Sequence, residues 1–290
     1  MSARMGPCRS PATRISVAAG ERPLTPKRCE STETSRTRGV RYAGAFAHRP
    51  TAARTGRRAQ EWRQVAFVHW RVAPEVIAPL LPRGVVPDVL DGSSWVGLIA
   101  FRLGDAKVGP LPPMSGWGSF TEVNVRLYGV DAEGRRGVVF RSLEASSLPA
   151  VLAARALFSL PYEWARTAQR PHAEGWEYAS RRITASRTTR GPGFQLSVAV
   201  DSTRTVDDEL SLFLTARWGL FQGRFGRTQW LPNEHEPWIL HPARLISLRD
   251  DLCAAAGLPG VVQNPPDSVL FSPGVDAKFG RGMLLPRGSA

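Results

Sequence analysis

The sequence has few cysteines and no long apolar run. Its three cysteines, Cys8, Cys29 and Cys253, are odd in number, and none lies in a Cys-x-x-Cys pair. This pattern excludes a disulfide framework and indicates a reducing compartment, which we take to be the cytoplasm. No apolar stretch reaches the roughly 18 residues that a membrane-spanning helix needs, and the best candidate, Leu148 to Leu160, is interrupted by Arg155. We therefore expect neither a membrane partner nor a secretory signal peptide.

Sequence motifs of several enzyme classes are also absent. The chain has no P-loop, no Gly-x-Gly-x-x-Gly after a strand, no Gly-x-Ser-x-Gly elbow and no His-Glu-x-x-His. These absences count against nucleotide-dependent and serine-hydrolase chemistry. His235 and His241 lie six residues apart, which is not a recognised zinc spacing. We expect no metal and no other cofactor.

Positive charge is plentiful but unevenly distributed along the chain. The formal net charge is +13, and residues 1–60 hold 13 of the 38 Lys and Arg but only 3 of the 25 Asp and Glu. The remainder is nearly neutral, so no nucleic-acid partner is expected for it. Residues 1–60 show no sustained apolar period and are predicted to be a disordered basic tail. An organellar transit peptide, or a start codon assigned too far upstream, fits the same segment.

The remaining chain, residues 61–290, is predicted to form a single domain of mostly short strands. Strands are predicted at Val65–Val72, Ser94–Leu103, Phe120–Val130, Gly137–Ala145, Trp176–Thr184 and Phe194–Asp201, with further strands after residue 215. Helices are predicted at Pro74–Leu81, Leu148–Ser159, Asp207–Thr215 and Arg249–Ala256. Because the strands follow one another as hairpins with few helices between them, the order is typical of an α+β fold that is predominantly antiparallel β.

Polar residues alternate with apolar ones in the strand that contains Glu122. Glu122, Asn124, Arg126 and Tyr128 share one face, with neighbours roughly 7 Å apart. The pattern alone favours a strand whose polar face meets solvent. The alternative is a polar row that lines a wet cavity. Spacing does not separate the two interpretations.

One charge interrupts an apolar helical stripe. Arg155 falls within the apolar face of the helix predicted at Leu148–Ser159. A buried guanidinium is costly unless a carboxylate pairs with it, and Glu122 or Glu144 could supply that carboxylate. A core salt bridge and a ligand-binding arginine both fit this position.

Six segments, taken in order, resemble one protein family. Between Phe67 and Leu240 they read FVHWRV, LLPRG, DGSSWVGLIAF, FTEVNVR, ARALFSLPY and HEPWIL. The series resembles the YqjF-like family of uncharacterised bacterial proteins (domain of unknown function 2071), within the acetoacetate-decarboxylase-like superfamily. The resemblance implies a cone-like closed barrel with flanking helices and an interior cavity. It also implies that the polar face of Glu122 points inward.

The resemblance fails at the residues that give the superfamily its chemistry. Glu122 matches a carboxylate of the decarboxylase active site, and Arg155 matches an arginine that precedes the lysine pair. The two lysines are replaced by Tyr162 and Glu163, so the amine that a Schiff-base mechanism requires is missing there. Acetoacetate decarboxylation is therefore not expected. The chain has three lysines, none of them at this place: Lys27, Lys107 and Lys278.

The expected protein is a small-molecule-binding barrel, an enzyme acting on an organic acid or carbonyl compound without a Schiff-base lysine. Glu122 would act as acid, base or ligand anchor, Tyr162 would donate a hydrogen bond or proton, and Arg126 or Arg155 would hold a carboxylate. The rival is a non-catalytic ligand-binding or sensing protein using the same cavity. A third hypothesis is an interaction protein that acts through its basic tail. Assembly into a homo-oligomer is compatible with each of these hypotheses. The remaining ligand-binding candidates are Asn124, His69 and His235.

Overall fold

The structure of the protein is a computed structural model that describes residues 58–104, 119–185 and 190–286. The predicted tail lies outside these residues apart from 58–60. Lys27, Lys107, Cys8 and Cys29 also lie outside them.

The described residues form 13 strands and four short α-helices. The strands are β1 (Arg58–Val72), β2 (Val85–Pro87), β3 (Ser94–Gly104), β4 (Phe120–Asp131), β5 (Arg136–Ala145), β6 (Tyr162–His172), β7 (Gly175–Arg182), β8 (Gly193–Val200), β9 (Gly219–Arg224), β10 (Arg227–Glu234), β11 (His241–Asp250), β12 (Ser268–Phe279) and β13 (Met283–Leu284). The helices are α1 (Pro74–Ile77), α2 (Leu148–Phe158), α3 (Glu209–Thr215) and α4 (Leu252–Ala255), with 3₁₀ turns at Ala78–Leu80 and Val261–Gln263. None of the helices in these ranges is long and apolar enough to cross a membrane.

All 13 strands belong to one large mixed sheet. Its order is β13-β10-β9-β5-β6-β7-β8-β11-β12-β1-β3-β4-β2, and the additional pairings β4–β5 and β10–β12 close this order into rings of hydrogen-bonded strands. Among the pairings of the described strands, β5–β6 and β5–β9 are parallel and the others antiparallel. The predicted strand-rich α+β class with mainly antiparallel pairing is confirmed.

The predicted secondary structure needs correction at β6 and at the helix near Arg249. Strand β6 was not predicted, because most of its side chains are at least partly exposed and its apolar residues show no sustained alternation. The helix predicted at Arg249–Ala256 is wrong in its first part, because β11 continues through Asp250. The Asp250 carboxylate accepts hydrogen bonds from the backbone N–H groups of Leu252 and Cys253, so α4 begins only there.

Strand β4 is buried on both faces. Its odd-numbered residues Val123 and Val125 pack in a core cluster with Tyr178 of β7 and Phe194 of β8. Its even-numbered polar residues are also withdrawn from solvent, beginning with Glu122, which is 3% exposed. The interpretation of β4 as a strand with one solvent-facing side is therefore wrong, and the polar row faces the interior.

A bulge in β1 sets which residues of that strand reach the same interior. The register between β1 and β3 shifts between Arg63 and Ala66, where Gln64 has a φ of 49°. The Tyr178 hydroxyl donates a hydrogen bond to the Gln64 carbonyl at 2.6 Å, which holds the bulge. An extra residue in the strand changes the alternation of side chains. Trp62 before the bulge and Val65 after it consequently face the same cavity.

Candidate functional site

A cavity of about 130 Å³ is lined by residues of β1, β3, β4, β5, β6, β9, β10 and β12 and by the C-terminal ends of α2 and α3. One water needs only about 10–15 Å³ on such a measure, so the cavity has room for a small organic molecule. Apolar side chains form most of its wall. The polar side chains of the wall include Glu122, Asn124, Arg126, Tyr162, Arg217 and His235.

Glu122 is a buried carboxyl group at this wall. The Tyr162 hydroxyl donates a hydrogen bond to its Oε2 at 2.7 Å, and Asn124 Nδ2 donates to its Oε1 at 3.3 Å. Burial raises the pKa of Glu122 to about 7, against the opposing effect of these two hydrogen bonds. Near neutral pH both protonation states of Glu122 are therefore populated, which is the property that general acid or base catalysis requires.

Tyr162 reaches the cavity because of how α2 ends. Ser159 adopts a left-handed conformation with φ 54° after the last helical turn, and Pro161 prevents the helix from continuing. The chain then enters β6, where Tyr162 pairs in parallel with Leu143 of β5. Burial raises the pKa of the Tyr162 hydroxyl well above its usual value, and the neighbouring Glu122 raises it further. Tyr162 is therefore a neutral hydrogen-bond donor at physiological pH.

Arg155 is not where the apolar stripe predicted it. Its side chain is 48% exposed and forms an ion pair with Glu163 at 3.0 Å, outside the cavity. Glu144, the other suggested partner, is fully buried and pairs instead with Arg182 through contacts of 2.7 and 3.0 Å. The prediction of a buried Arg155 is wrong because α2 buries little of its surface, with Val151 its one buried residue.

Arg126 lies at the other end of the polar row and is held by uncharged groups. Its Nε donates to the Tyr128 hydroxyl at 2.9 Å, and its Nη2 donates to the Leu214 carbonyl at 3.3 Å. The Tyr128 oxygen also lies 2.6 Å from His69 Nε2. Arg126, Tyr128 and His69 are thereby joined in one hydrogen-bonded row.

His69 is linked to Arg126 through the Tyr128 hydroxyl and does not belong to the cavity wall. Its side chain is fully buried. Burial lowers the pKa of His69 well below its ordinary value, and the positive charges of Arg126 and Arg217 lower it further. The expected place of His69 among the ligand-contacting residues therefore needs correction, since the imidazole lies behind the wall, hydrogen-bonded to Tyr128 and stacked on Phe67.

Gly97 makes this arrangement sterically feasible. In the register of β1, β3 and β4, Gly97 lies between His69 and Arg126. A Cβ at position 97 would lie 3.0 Å from the Tyr128 hydroxyl and 3.2 Å from both Arg126 Cγ and His69 Cδ2. The missing side chain lets the three polar groups meet, as expected of a strand glycine where other groups approach closely.

Arg217, which the sequence interpretation missed, is the second guanidinium at the cavity wall. It is 4% exposed and lies on the connection between α3 and β9. Its Nη1 donates to Asp88, whose two oxygens also accept from Arg136 at 2.7 Å each. Its guanidinium lies 4.9 Å from the ring centre of Tyr128 and 4.4 Å from that of Phe213. Its Nε and Nη2 are buried without a hydrogen-bond partner among the described residues.

Aromatic rings form another part of the wall. Trp62 and Trp238 stack with ring centres 6.0 Å apart and planes 10° from parallel. His235 packs against both rings, at 5.9 and 5.0 Å, and its Nδ1 donates to the Glu236 carbonyl at 2.7 Å. Trp238 Nε1 donates to the Thr215 carbonyl at 3.1 Å, which joins this wall to α3. His235 therefore lies at the cavity, where the sequence interpretation expected it.

The described residues place no lysine in the cavity. Lys278 is the one lysine among them, and its exposed side chain lies on the opposite face of β12 from Phe279, which lines the cavity. His241, on β11, bonds through its Nδ1 to the Arg204 carbonyl at 2.6 Å.

Comparison with known families identifies the chain. The model of the DUF2071 family, described as an uncharacterized conserved protein, matches residues 59–276. The chain belongs to this family. It is 29% identical over 185 residues to the uncharacterized protein YqjF of Bacillus subtilis (strain 168), over 63% of this chain and 75% of YqjF. The resemblance noted from the six sequence segments is thereby confirmed.

Solved structures with the same fold are acetoacetate-decarboxylase-like. The enduracididine biosynthesis enzyme MppR, complexed with pyruvate, matches with a TM-score of 0.53 at 17% identity, over 83% of this chain and 95% of MppR. The acetoacetate decarboxylase of Legionella pneumophila subsp. pneumophila str. Philadelphia 1 matches with a TM-score of 0.53 at 14% identity, over 90% of this chain and 98% of the decarboxylase. At these identities the likeness shows the fold alone.

Proposed function

We propose that this DUF2071 protein binds a small organic acid or carbonyl compound in its cavity and exchanges a proton with it through Glu122, without a covalent lysine adduct. The observation that carries the proposal is the buried Glu122, with its pKa near 7 and the Tyr162 hydroxyl 2.7 Å away. A carboxyl group with such a pKa serves as base and as acid at neutral pH. We take the rings of strands to enclose a cone-like closed barrel around this site.

The geometry suggests which step of the proton transfer Glu122 performs and which step Tyr162 performs. Ionised Glu122 removes a proton from a carbon next to a ligand carbonyl, or from a ligand hydroxyl. Once protonated, Glu122 no longer holds the Tyr162 hydrogen bond as strongly, because a neutral carboxyl is a weaker acceptor. The Tyr162 hydroxyl can then donate to the ligand oxygen on which negative charge develops. Asn124 keeps the Glu122 carboxyl oriented between the two steps.

The proposed chemistry differs from that of the decarboxylase because no amine is expected in the cavity. Borohydride added with a small ketone should therefore trap no adduct on the wild-type protein. Glu163 faces away from the cavity and pairs with Arg155, so the single substitution Tyr162→Lys should be enough to place an amine beside Glu122. A trapped adduct on Lys27, Lys107 or Lys278 of the wild-type chain would contradict the proposal.

Hydrogen exchange provides the direct test of proton transfer. The full-length protein is incubated in D₂O with a panel of 2-oxo and 3-oxo acids, and loss of the C–H signal next to the carbonyl is followed by proton NMR. Glu122→Gln should lower the exchange rate by about 10²–10⁴-fold, the usual contribution of a general base. Glu163→Gln is the matched control, because Glu163 is adjacent in sequence but lies outside the cavity, and it should leave the rate unchanged.

A non-catalytic binding or sensing protein is the second candidate. Both oxygens of Glu122 accept hydrogen bonds from protein groups, as the oxygens of a purely structural buried carboxyl also would. This alternative predicts that oxo acids bind to the wild-type protein without any exchange of their C–H protons.

A further inference from the structure

Within the described part of the chain, four buried polar atoms without hydrogen-bond partners belong to side chains that line the cavity. They are Nε and Nη2 of Arg217, Oδ1 of Asn124 and Oδ1 of Asn233. A buried polar atom without a partner costs free energy, so such atoms at a cavity wall indicate groups that a bound molecule or water satisfies. Two of the four are on Arg217, and both are donors.

The two open donors of Arg217 lie on one edge of its planar guanidinium. Nε–H and the adjacent N–H of Nη2 point the same way and are spaced to meet both oxygens of a carboxylate. Asp88 occupies Nη1, and the rings of Tyr128 and Phe213 pack against the guanidinium. The anchoring group is itself charged, since Arg217 and Arg136 lower the pKa of the Asp88 carboxyl although burial raises it. Arg217 is therefore fixed before any ligand arrives, which reduces the entropy cost of binding.

Arg126 adds a second positive charge at the same end of the cavity. Its guanidinium lies 5.4 Å from the Tyr128 ring centre, while that of Arg217 lies 4.9 Å from the same ring. In the part of the chain that the structure describes, no carboxylate lies within 4.0 Å of Arg126, and its hydrogen bonds go to uncharged groups. His69 behind it is neutral. Asp88 is shared between Arg217 and Arg136, so no carboxylate in direct contact balances the charge of Arg126.

The acidic group of the cavity is far from these cations along β4. Glu122 is the one acidic side chain among the residues that line the described wall. It precedes Arg126 by four residues, which is roughly 14 Å of extended strand. The apolar wall between the two ends includes Phe67 of β1 and Leu143 of β5. A ligand that spans the cavity would therefore need an anionic end, an apolar middle and an oxygen at its other end.

We propose that Arg217 and Arg126 form a carboxylate-binding subsite, in which Arg217 takes both carboxylate oxygens through Nε and Nη2. The ligand is then an amphipathic monocarboxylic acid, with an apolar body and a carbonyl or hydroxyl oxygen placed at Glu122 and Tyr162. This inference rests on the proposed role of the cavity in binding a small molecule, and it does not require proton transfer by Glu122.

The test compares acids with their uncharged amides on the full-length protein. Phenylacetate, 3-phenylpropanoate and hexanoate are titrated against phenylacetamide, 3-phenylpropanamide and hexanamide by isothermal titration calorimetry at neutral pH and low ionic strength. The wild-type protein should bind the best acid about 10- to 100-fold more tightly than its amide, the range expected for a charge-assisted pair. Arg217→Gln should remove this preference while leaving the affinity for the amide unchanged.

Two variants separate a lost ligand contact from a disturbed fold. Arg136→Gln breaks a pair to the same Asp88 but leaves the cavity wall intact, so the preference for the acid should survive. Arg217→Lys keeps the charge but loses the planar fork, so it should retain only part of the preference. Unchanged binding of the amide shows that the cavity is intact in each variant.

Three results would overturn the inference. The wild-type protein could bind amides as tightly as acids, it could bind none of the acids at millimolar concentration, or Arg217→Gln could retain the preference. The first two results are obtained with the wild-type protein alone, so the inference can be contradicted even if Arg217→Gln misfolds. The proposed function is tested by a different experiment, the loss of proton exchange in Glu122→Gln. A failure of the carboxylate subsite can therefore be told apart from a failure of the proposed function.

Discussion

At the scale of single residues, the protonation of Glu122 is coupled to the stability of the fold. The pKa of Glu122 is about 7 in the folded protein, against 4.5 for an unperturbed glutamate. Between these values the folded state binds more protons than the unfolded state, so this contribution to stability is complete below pH 4.5 and is lost as pH rises through 7. The shift corresponds to a free energy of about 3 kcal/mol.

The substitution Glu122→Gln should remove this pH dependence. We expect the free energy of unfolding of the variant, relative to wild type, to rise by up to about 3 kcal/mol between pH 5 and pH 8. Urea denaturation of both proteins at several pH values measures the difference, in which the contributions of other titratable groups cancel. If the free energy of unfolding changed with pH in the same way for both proteins, Glu122 would titrate in the folded protein as it does in the unfolded chain.

Gly97 is the residue whose substitution should disturb the arginine end of the cavity most directly. In Gly97→Ala the added Cβ would press on Tyr128, Arg126 and His69 at 3.0–3.2 Å. We expect a loss of about 1–3 kcal/mol in the free energy of unfolding, the usual cost of overpacking, together with weaker binding of carboxylates. Gly223→Ala is the matched control, because a Cβ there meets nothing within 4 Å. Equal stability of the two variants would show that the groups around Gly97 relax freely.

At the scale of elements, the alternation in β4 predicted the strand and its polar face but not the direction of that face. Both faces of β4 are buried, so solvent does not distinguish them, and only the family resemblance indicated that Glu122 points inward. Arg217 could not be found from local pattern at all, because its partner Asp88 is 129 residues away in sequence. Contacts of such separation depend on the closing of the strand rings, which no local period encodes.

Helix α2 illustrates the same limit, and its correction changes what a substitution should do. The sequence predicted the helix and its end at Ser159, but it assigned Arg155 to the buried side. Breaking a buried ion pair by removing one partner would lower the free energy of unfolding by about 3–5 kcal/mol. Since Arg155 and Glu163 are both more than a third exposed, we now expect Arg155→Met to change the free energy of unfolding by less than about 1 kcal/mol.

The buried pair in this region is Arg182 with Glu144, which makes it the matched comparison. Glu144 is fully buried and Arg182 is 16% exposed. Arg182→Met leaves the Glu144 carboxylate without its partner and should cost about 3–5 kcal/mol. The double change Arg182→Met with Glu144→Gln should recover part of that loss. Equal effects of Arg155→Met and Arg182→Met in urea denaturation would contradict the assignment of the two pairs.

At the scale of the whole molecule, the first and last long strands of the described chain hold each other in place. β1 pairs with β12 along most of its length, from Arg58 opposite Phe279 to His69 opposite Ser268. Gln60 of β1 also lines the cavity. A domain that begins at residue 61 would lose this first part of β1, so we move the proposed boundary to residue 58.

Two truncations test this boundary. Residues 1–57 show no sustained apolar pattern to bury against the domain, so their removal should change the melting temperature by less than about 2 °C. Removal of residues 1–63 also deletes Trp62, which packs against Phe101, Trp238 and Phe279. Loss of a packed tryptophan costs about 3–5 kcal/mol, so this truncation should lower the melting temperature by at least about 6 °C.

The pair of truncations separates two roles of the N-terminal region, because only the longer one removes residues of β1. If the shorter truncation lowered the melting temperature by as much as the longer one, the basic segment would have to pack on the domain. The proposed boundary would then be wrong. If neither had an effect, the Trp62 stack would contribute nothing to stability, and this part of the cavity wall would be free to open around a ligand. The expected result, a loss confined to the longer truncation, makes β1 from Arg58 onward a structural part of the site.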